Sequence, residues 1–419
     1  MSTPVVEILA IGTELLLGDT IDTNSAWLGA HLAAAGLPVA RRTTVVDDFD
    51  LMAGAMREAL ARAGVLICTG GLGPTHDDFT REVVAAVIAR PLELDDGWLR
   101  VLHERYDQRG IPMPTINRRQ AMAPAGAVVL PNPRGSAPGL WIEHEDRVIV
   151  LLPGVPYELH TLAEQEVLPR LAARHPDARP VRSVHVRTSG VPESRLAERI
   201  DDIVREIEPL DVAFLPRAAG VDVRVTARGL PAAEADARLV EARNRLSQRV
   251  GAAHFADGDT ALPAVLGDLL RSRALRVAFA ESCTGGLAAK LMTDAAGASD
   301  YVQGGVVAYA NEVKSSVLGV PEETLRAHGA VSEETVRAMA SGVRRVCHAE
   351  CGIAITGVAG PGGGSEERPV GTVWIAAETP DASHARRLRL LGYREEIRER
   401  SAYAALDLLR RMLLGVLDG

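Results

Sequence analysis

The chain has 419 residues, of which 47% are hydrophobic and 24% are charged, and its formal net charge is -9 at pH 7. This length predicts several domains, and the composition is typical of soluble globular proteins. The acidic balance and the 4% aromatic content give no reason to expect binding to nucleic acid or to an anionic membrane. No apolar run is long enough to cross a bilayer, no basic segment precedes the first strand, and the four cysteines lack zinc spacing. We therefore expect a cytoplasmic protein with reduced thiols and without a signal peptide.

The first predicted region, residues 1–170, alternates short apolar runs with helical patterns. A strand near Val5–Ile11 leads to a helix near Thr23–Ala35, which Gly36 would end as a C-terminal cap. A second strand at Val65–Cys68 runs into a glycine-rich turn and a helix near Phe79–Ala89. Such alternation predicts a largely parallel sheet with helices on both faces.

The turn after the second strand carries glycines that would let backbone N–H groups approach a phosphate or another oxyanion, although such corners also use glycine for steric reasons. Two adjacent carboxylates follow it, Asp77 and Asp78, and the loop after the first strand carries Glu14, Asp19 and Asp22. In a parallel sheet both loops open at the same edge. We interpret Asp77, Asp78 and Glu14 as ligands of Mg²⁺ or a similar hard cation next to a phosphate. The alternative is that Asp77 or Asp78 only caps the next helix.

The second region, residues 180–256, is predicted to be a small α+β module, and the third, residues 260–419, restarts strand–helix alternation at Val277–Ala280. The last helix has an apolar stripe that would pack inside the domain or across a dimer: Ala402, Leu406, Leu409, Leu413 and Val416. The predicted fold class is α/β, with two three-layer α/β domains of mainly parallel sheets joined by the small α+β module.

Lysine is almost absent from this chain, which has only Lys290 and Lys314 against 44 arginines. An amine can be tuned to lose its proton, whereas a guanidinium stays charged, so a retained lysine points to proton transfer or to chance. Both lysines follow residues 280–286, where a strand end meets a helix and carries Ser282 and Cys283. A serine with a lysine as general base predicts nucleophilic catalysis. Ser282 as a helix N-cap and Cys283 as the nucleophile are the alternatives.

Two further Thr-Gly turns, at residues 284–286 and 356–361, resemble the turn at residues 69–74. Three such turns in two domains favour a nucleotide-like ligand. The later of the two could also supply N–H donors to an oxyanion.

The chain resembles the bacterial CinA family of competence/damage-inducible proteins over essentially its whole length. The first region is similar to the molybdopterin-binding domain family at residues 12–18, 22–24, 69–78, 132–139 and 152–156. The third is similar to the CinA C-terminal domain at residues 280–286, 309–314, 357–361 and 369–373. The middle module resembles the KH-like domain of long family members.

This resemblance implies two activities. The C-terminal domain would hydrolyse the carboxamide of nicotinamide mononucleotide to nicotinate mononucleotide and ammonia in NAD salvage, without a cofactor. The N-terminal domain would be an ADP-ribose pyrophosphatase that depends on a divalent metal such as Mg, Mn or Co, held by Asp77, Asp78 and Glu14. Ser282 would be the nucleophile, and Lys314 with Tyr309 would handle its proton, which leaves Lys290 without a role.

The implied substrate contacts lie in both domains. In the C-terminal domain they are Thr284, Gly285, Gly286, Asn311, Thr356, Gly357, Ala359 and Gly360. In the N-terminal domain they are Thr69, Gly70, Gly71, Gly73, Asn132 and Gly135.

The expected partners are small-molecule nucleotide substrates, with no nucleic acid and no membrane, and we expect a homodimer. RNA binding by a KH domain needs a GxxG loop, and the nearest stretch, residues 190–193, lacks the second glycine. We therefore interpret the middle module as a spacer between domains or in a dimer. The alternative function is a pterin- or nucleotide-binding protein with a non-enzymatic role related to competence.

Overall fold

The structure is a computed structural model that describes residues 4–417 and separates into two compact units. Residues 4–182 and 228–235 form the first unit, and residues 183–227 and 236–417 form the second. The outer ends of the first and third predicted regions, residues 1–3 and 418–419, lie outside the described residues. Between residues 4 and 417, no helix has the length and apolar character needed to cross a membrane.

The strands of the first unit form one large sheet and one small ladder. They are β1 (Val6–Ile11), β2 (Val39–Val45), β3 (Val65–Thr69), β4 (Leu92–Leu94), β5 (Met122–Pro124), β6 (Val128–Leu130), β7 (Gly139–His144) and β8 (Arg147–Leu152). The large sheet has the order β2-β1-β3-β8-β7-β6, in which β2, β1, β3 and β8 are parallel and β7 and β6 are antiparallel. β4 and β5 pair separately.

The helices of this unit are α1 (Thr13–Leu17), α2 (Thr23–Ala34), α3 (Phe49–Arg62), α4 (Thr80–Val87), α5 (Asp96–Gln108), α6 (Pro156–Leu162) and α7 (Leu168–Arg174). Alternate residues of β1 face opposite sides of the sheet, as the strand period requires. Val6 and Ile8 pack in the cluster that includes α2, whereas Leu9 and Ile11 pack in the cluster that includes α3. Helices thus cover both faces.

The second unit contains two sheets. The first has the order β10-β11-β9-β12 and consists of β9 (Arg182–Thr188), β10 (Asp211–Pro216), β11 (Val221–Ala227) and β12 (His254–Asp257), with α8 (Glu193–Glu206) and α9 (Ala232–Val250) between the strands. The second has the order β14-β13-β15-β16-β17 and consists of β13 (Val277–Glu281), β14 (Val302–Val307), β15 (Cys351–Gly357), β16 (Thr372–Glu378) and β17 (Ser383–Arg389). Its first three strands are parallel and its last two are antiparallel.

Around this second sheet lie α10 (Leu262–Ser272), α11 (Leu287–Thr293), α12 (Asn311–Ser316), α13 (Glu322–His328), α14 (Glu333–Cys347) and α15 (Arg394–Leu414). Val277 and Phe279 of β13 face the cluster that includes α15, and Ala278 and Ala280 face the cluster that includes α14. The predicted α/β class, with mainly parallel sheets, is confirmed. The predicted helix at Phe79–Ala89 is shorter than expected, and α1 was not predicted.

The apolar stripe of the last helix is part of the core of its own unit. Ala402, Leu406, Leu409 and Leu413 are all buried in the cluster beneath the sheet. Of the two placements that the sequence left open, the structure shows packing inside the domain.

The end of α15 also contacts the smaller sheet of the same unit through buried charges. The Asp407 carboxylate accepts hydrogen bonds from Arg410 and Arg411, each at 2.7 Å, and all three side chains are buried. The two guanidinium groups also donate to main-chain carbonyls, Arg411 to Ser189 and Arg410 to Ala252, both at 2.8 Å.

Candidate active sites

The first candidate site lies at the carboxyl edge of the parallel strands β14, β13 and β15. Ser282 directly follows β13, and its N–H still donates to the carbonyl of Ile355 on β15 at 2.9 Å. Lys314 lies on α12, which follows the adjacent strand β14. Because the carboxyl ends of parallel strands open at the same edge, these two side chains meet. The distance from Lys314 Nζ to Ser282 Oγ is 3.2 Å.

Lys314 is almost completely buried, with 1% of its surface exposed. Its Nζ also donates to the carbonyls of Ala308 at 2.7 Å and Tyr309 at 3.1 Å. Burial lowers the pKa of Lys314 because the ammonium loses hydration, although Cys283 and Glu312 oppose the shift. Carbonyls can only accept, so once the amine has lost a proton they can take its two N–H groups and leave its lone pair for the serine hydroxyl. This arrangement can remove a proton from Ser282.

Cys283, the alternative nucleophile, is buried in the core cluster beneath the sheet. Burial raises the pKa of its thiol to about 11. A reactive cysteine needs a thiolate in a partly exposed, electropositive setting; Arg394 and Arg398 act to lower the pKa of Cys283, but its burial is the larger effect. The geometry favours Ser282.

A cavity of about 260 Å³ opens beside the Ser282–Lys314 pair, and we call it the C-terminal cavity. The described residues that line it include Lys314 and Arg394 and no Asp or Glu. Arg394 donates to the carbonyl of Gly360 at 2.5 Å, and its other nitrogen lies 3.5 Å from the Tyr309 hydroxyl. A cationic group at the mouth of such a cavity can bind phosphate or another anion.

The second candidate site is a cavity of about 370 Å³ in the first unit, which we call the N-terminal cavity. Its walls come from the segments that directly follow β1, β2, β3 and β8, so it lies at the same kind of sheet edge. The turn after β3 needs glycine, since Gly70 has φ +98° and a Cβ there would lie 2.2 Å from the carbonyl oxygen of Ile11. Arg81, which is buried, holds this turn by donating to the carbonyls of Leu72 at 2.8 Å and Gly73 at 3.0 Å.

Carboxylates dominate the lining of the N-terminal cavity. Those of the described residues are Glu14, Asp47, Asp77, Asp78 and Glu158, and no Lys, Arg or His lines the cavity with them. Thr75 holds two of them, because its N–H donates to Asp78 at 2.9 Å and its hydroxyl donates to Asp77 at 2.5 Å. The Thr75 hydroxyl lowers the pKa of Asp77. Within residues 4–417, no three His, Cys, Asp or Glu side chains converge closely enough to hold a metal ion by themselves.

Family models match three successive parts of the chain. Residues 7–173 match the model described as "Probable molybdopterin binding domain", residues 183–256 match the damage-inducible protein CinA KH domain, and residues 259–413 match the CinA C-terminal domain. The chain is 47% identical over 409 residues to a CinA-like protein of Gemmatimonas aurantiaca, which covers 97% of this chain and 96% of that protein. The chain belongs to the CinA family.

Other CinA proteins are also similar to this one. A CinA-like protein of Frankia casuarinae is 43% identical over 420 residues, covering 98% of this chain and 96% of that protein. Among solved structures, the competence damage-inducible protein A of Klebsiella pneumoniae is 37% identical, covers 36% of this chain and 95% of that one, and has a TM-score of 0.36. The family predicted from the sequence motifs is confirmed.

The C-terminal cavity of this CinA family member brings together most of the residues predicted for it. Its lining includes Ser282, Lys314, Tyr309, Asn311, Thr356, Gly357, Ala359 and Gly360. Tyr309 contacts Lys314 through its main-chain carbonyl, while its side chain is 63% exposed and directed to Arg394. Thr356 donates its hydroxyl to the carbonyl of Ala330 at 2.7 Å. Lys290, by contrast, is exposed and forms a 2.7 Å ion pair with Asp294.

Three predicted substrate contacts, Thr284, Gly285 and Gly286, do not line this cavity. The N-terminus of α11, which they were expected to offer to an anion, is occupied by a buried carboxylate of the protein itself. Glu281 accepts hydrogen bonds from the N–H groups of Gly286 at 3.0 Å, Ala288 at 3.1 Å and Ala289 at 2.9 Å. A carboxylate there already satisfies the free N–H groups and the positive end of the helix dipole.

In the N-terminal cavity the structure brings Glu14, Asp77 and Asp78 together with Gly70, Gly71 and Gly73. Thr69, Asn132 and Gly135 do not line it. Asn132 lies behind Glu158 and donates to its carboxylate at 2.6 Å. A Cβ at Gly135 would lie 1.9 Å from the same carboxylate. These two residues therefore shape the position of Glu158, which does line the cavity.

Sequence reasoning missed Glu158 and Arg394. Burial raises the pKa of Glu158 because its charged form loses hydration. An uncharged carboxyl group can donate a hydrogen bond to a ligand oxygen. Arg394 had no signal in the sequence, since it is one of 44 arginines. Its position at the start of α15, the last helix, is informative only once the fold packs that helix against β15 and β16.

Proposed function

We propose that the C-terminal domain is a serine amidohydrolase that converts nicotinamide mononucleotide to nicotinate mononucleotide and ammonia. The observation that carries the proposal is the buried Lys314 amine 3.2 Å from the Ser282 hydroxyl. The choice of substrate rests on the resemblance to the CinA C-terminal domain and on the charge of the cavity.

In the proposed mechanism, Ser282 Oγ attacks the carboxamide carbon while Lys314 Nζ takes the hydroxyl proton. Lys314 then returns this proton to the amide nitrogen, which leaves as ammonia when the C–N bond breaks. Water, activated by the same amine, hydrolyses the resulting ester, releases the carboxylate product and restores Ser282. N–H groups of the glycine-rich loop after Thr356 would stabilise the oxyanion.

The charges in the cavity support a phosphorylated substrate. Arg394 supplies a guanidinium at the mouth, and the described lining residues include no carboxylate that would repel a phosphate. Asn311 and Tyr309 lie at the same rim as polar groups for the ribose. The amide would then reach the Ser282–Lys314 pair at the base of the cavity.

Ammonia release from nicotinamide mononucleotide by the purified full-length chain tests this function, with chromatography identifying the second product. Ser282→Ala should abolish release, and Cys283→Ala should retain most of it, because the Cys283 thiol stays protonated at neutral pH. Abundant release by Ser282→Ala together with loss in Cys283→Ala would overturn the serine assignment.

We also propose that the N-terminal domain is a metal-dependent pyrophosphatase that cleaves ADP-ribose to AMP and ribose 5-phosphate. The observation in favour is a cavity lined by five carboxylates at a glycine-rich sheet edge. Mg²⁺ is commonly held by one or two carboxylates together with waters and substrate phosphates, so Asp77, Asp78 and Glu14 fit this role without three convergent ligands. Such a cation would neutralise the pyrophosphate charge. AMP formation by the purified chain, with and without divalent cation, is the corresponding test.

A further inference from the structure

We propose that Glu281 and Arg398 are positioning residues that hold the Ser282 loop against Lys314. The inference rests on the proposed serine amidohydrolase function and adds the part of the protein that fixes the nucleophile. Neither side chain lines the C-terminal cavity, so neither is placed to contact the substrate directly.

Glu281 holds the loop from the side of α11. It is the last residue of β13, directly before Ser282, and its side chain is buried. Its two carboxylate oxygens accept three N–H groups, from Gly286, Ala288 and Ala289, at 2.9 to 3.1 Å. The residues on either side of Ser282–Gly285 are therefore tied together, and the turn can neither unwind nor shift along the helix axis without breaking charge-assisted hydrogen bonds.

Arg398 holds the same loop from the side of α15. Its Nε donates to the carbonyl of Cys283 at 3.1 Å, and a terminal nitrogen donates to the carbonyl of Thr284 at 2.8 Å. A planar guanidinium that contacts two successive carbonyls fixes the orientation of the peptide between them, which a single donor cannot do. Arg398 lies one helical turn after Arg394, so the same face of α15 supplies both the cavity cation and the loop contact.

Hydrogen bonds of the main chain also connect Glu281 to Lys314, the proposed general base. The carbonyl of Glu281 accepts from the N–H of Ala308 at 2.8 Å, and the carbonyl of Ala308 accepts from Lys314 Nζ. Displacement of Glu281 would therefore move both the nucleophile and one of the two carbonyls that orient the amine. A misplacement of about 1 Å can cost about 100-fold in rate.

A purely stabilising role and a positioning role predict different changes in melting temperature, kcat and KM. A helix cap or surface contact that only stabilises the fold would lower the melting temperature and leave the kcat of the remaining folded enzyme unchanged. A positioning role predicts that kcat falls while KM for nicotinamide mononucleotide stays within about threefold, because Arg394 and the glycine-rich loop are intact.

The test uses the full-length variants Glu281→Gln, Arg398→Ala and Arg398→Lys, with Arg400→Ala as the matched control. Arg400 lies on the same helix but donates to the carbonyl of Leu391 at 3.3 Å, away from the Ser282 loop. We expect kcat to fall about 10- to 100-fold in Glu281→Gln and Arg398→Ala. Arg398→Lys should recover part of the loss, since an ammonium can still donate to one carbonyl. Arg400→Ala should match the wild type.

Labelling of Ser282 by a fluorophosphonate probe separates this inference from the proposed substrate. A wild type that labels at Ser282 but releases no ammonia would contradict the substrate, and slower labelling of the two variants would still support positioning. Labelling and kcat within twofold of the wild type in both variants would overturn the positioning role. A wild type that neither releases ammonia nor labels would overturn both proposals.

Discussion

The two cavities of this CinA protein occupy the same kind of sheet edge and carry opposite charge. The N-terminal cavity is lined by five carboxylates and the C-terminal cavity by one lysine and one arginine, counted over the described residues. The carboxylates of the first would repel an anionic ligand unless a cation accompanied it, whereas Arg394 supplies a positive charge in the second. The comparison shows that both cavities lie at the carboxyl edge of parallel strands, while the side chains after each strand set the charge of the cavity.

The largest effect should come from Lys314→Arg, which keeps a positive charge and removes the proton acceptor. We expect ammonia release to fall about 100- to 10,000-fold, the range associated with loss of a general base. Steady-state turnover of nicotinamide mononucleotide between pH 7 and pH 9 measures the effect. Lys290→Arg is the matched control and should be unchanged, because Lys290 is exposed and paired with Asp294. Wild-type turnover by Lys314→Arg would exclude a general-base role.

Metal removal should abolish the proposed activity of the N-terminal cavity and leave that of the C-terminal cavity almost unchanged. EDTA should stop AMP formation from ADP-ribose and leave ammonia release unchanged, because the proposed pyrophosphatase uses a cation and the proposed amidohydrolase does not. Adding back Mg²⁺, Mn²⁺ or Co²⁺ should restore AMP formation. Asp77→Asn should reproduce the selective loss. Loss of both activities on EDTA treatment would show that the sites are not independent.

Arg394→Ala should test the positive charge of the C-terminal cavity. A hydrogen bond to a charged group contributes about 1.5 to 3 kcal/mol, so KM for nicotinamide mononucleotide should rise about 10- to 100-fold with a smaller change in kcat. The same variant should not affect hydrolysis of nicotinamide riboside, which lacks the phosphate. An equal rise in KM for both compounds would contradict a contact between Arg394 and the phosphate.

The effect of pH on ammonia release should be the smallest of these effects, but it reports most directly on the protonation of the buried Lys314 amine. The neutral form of Lys314 is the reactive one, so kcat/KM should fall as pH drops through the Lys314 pKa. Because burial lowers this pKa, the acidic limb should lie below about 10.4, the ordinary lysine value. The same shift makes the folded protein less stable at pH values below the Lys314 pKa, since the unfolded chain binds that proton more tightly, and this loss disappears as the pH rises to the ordinary lysine value. A limb at the ordinary lysine value would contradict a desolvated base.

The sequence alone predicted those strands and turns whose pattern lies within a few consecutive residues. Apolar runs and glycine stops located β1, β3 and β13, and the scarcity of lysine singled out Lys314 as a partner for Ser282. The anion site at Gly285 and Gly286 could not be evaluated in this way, because the carboxylate of Glu281 reaches it only through the folded turn. Glu158 and Arg394 were missed because their positions depend on helices that approach the cavities from distant parts of the chain.

The buried charges at the end of α15 have a consequence for dissecting the protein. A fragment that starts at residue 259, where the CinA C-terminal match begins, would retain Asp407, Arg410 and Arg411 but lose the carbonyls of Ser189 and Ala252. Two guanidinium groups would then face solvent where an adjoining module had covered them, on the helix whose first turns carry Arg394 and Arg398. At about 1.5 Å per residue, some 24 Å of continuous helix separates Arg394 from Arg410, so one helix carries both the cavity cation and the contacts that the fragment would lose. A fragment that begins at residue 259 would therefore lack buried hydrogen bonds that the intact chain forms at the far end of this helix.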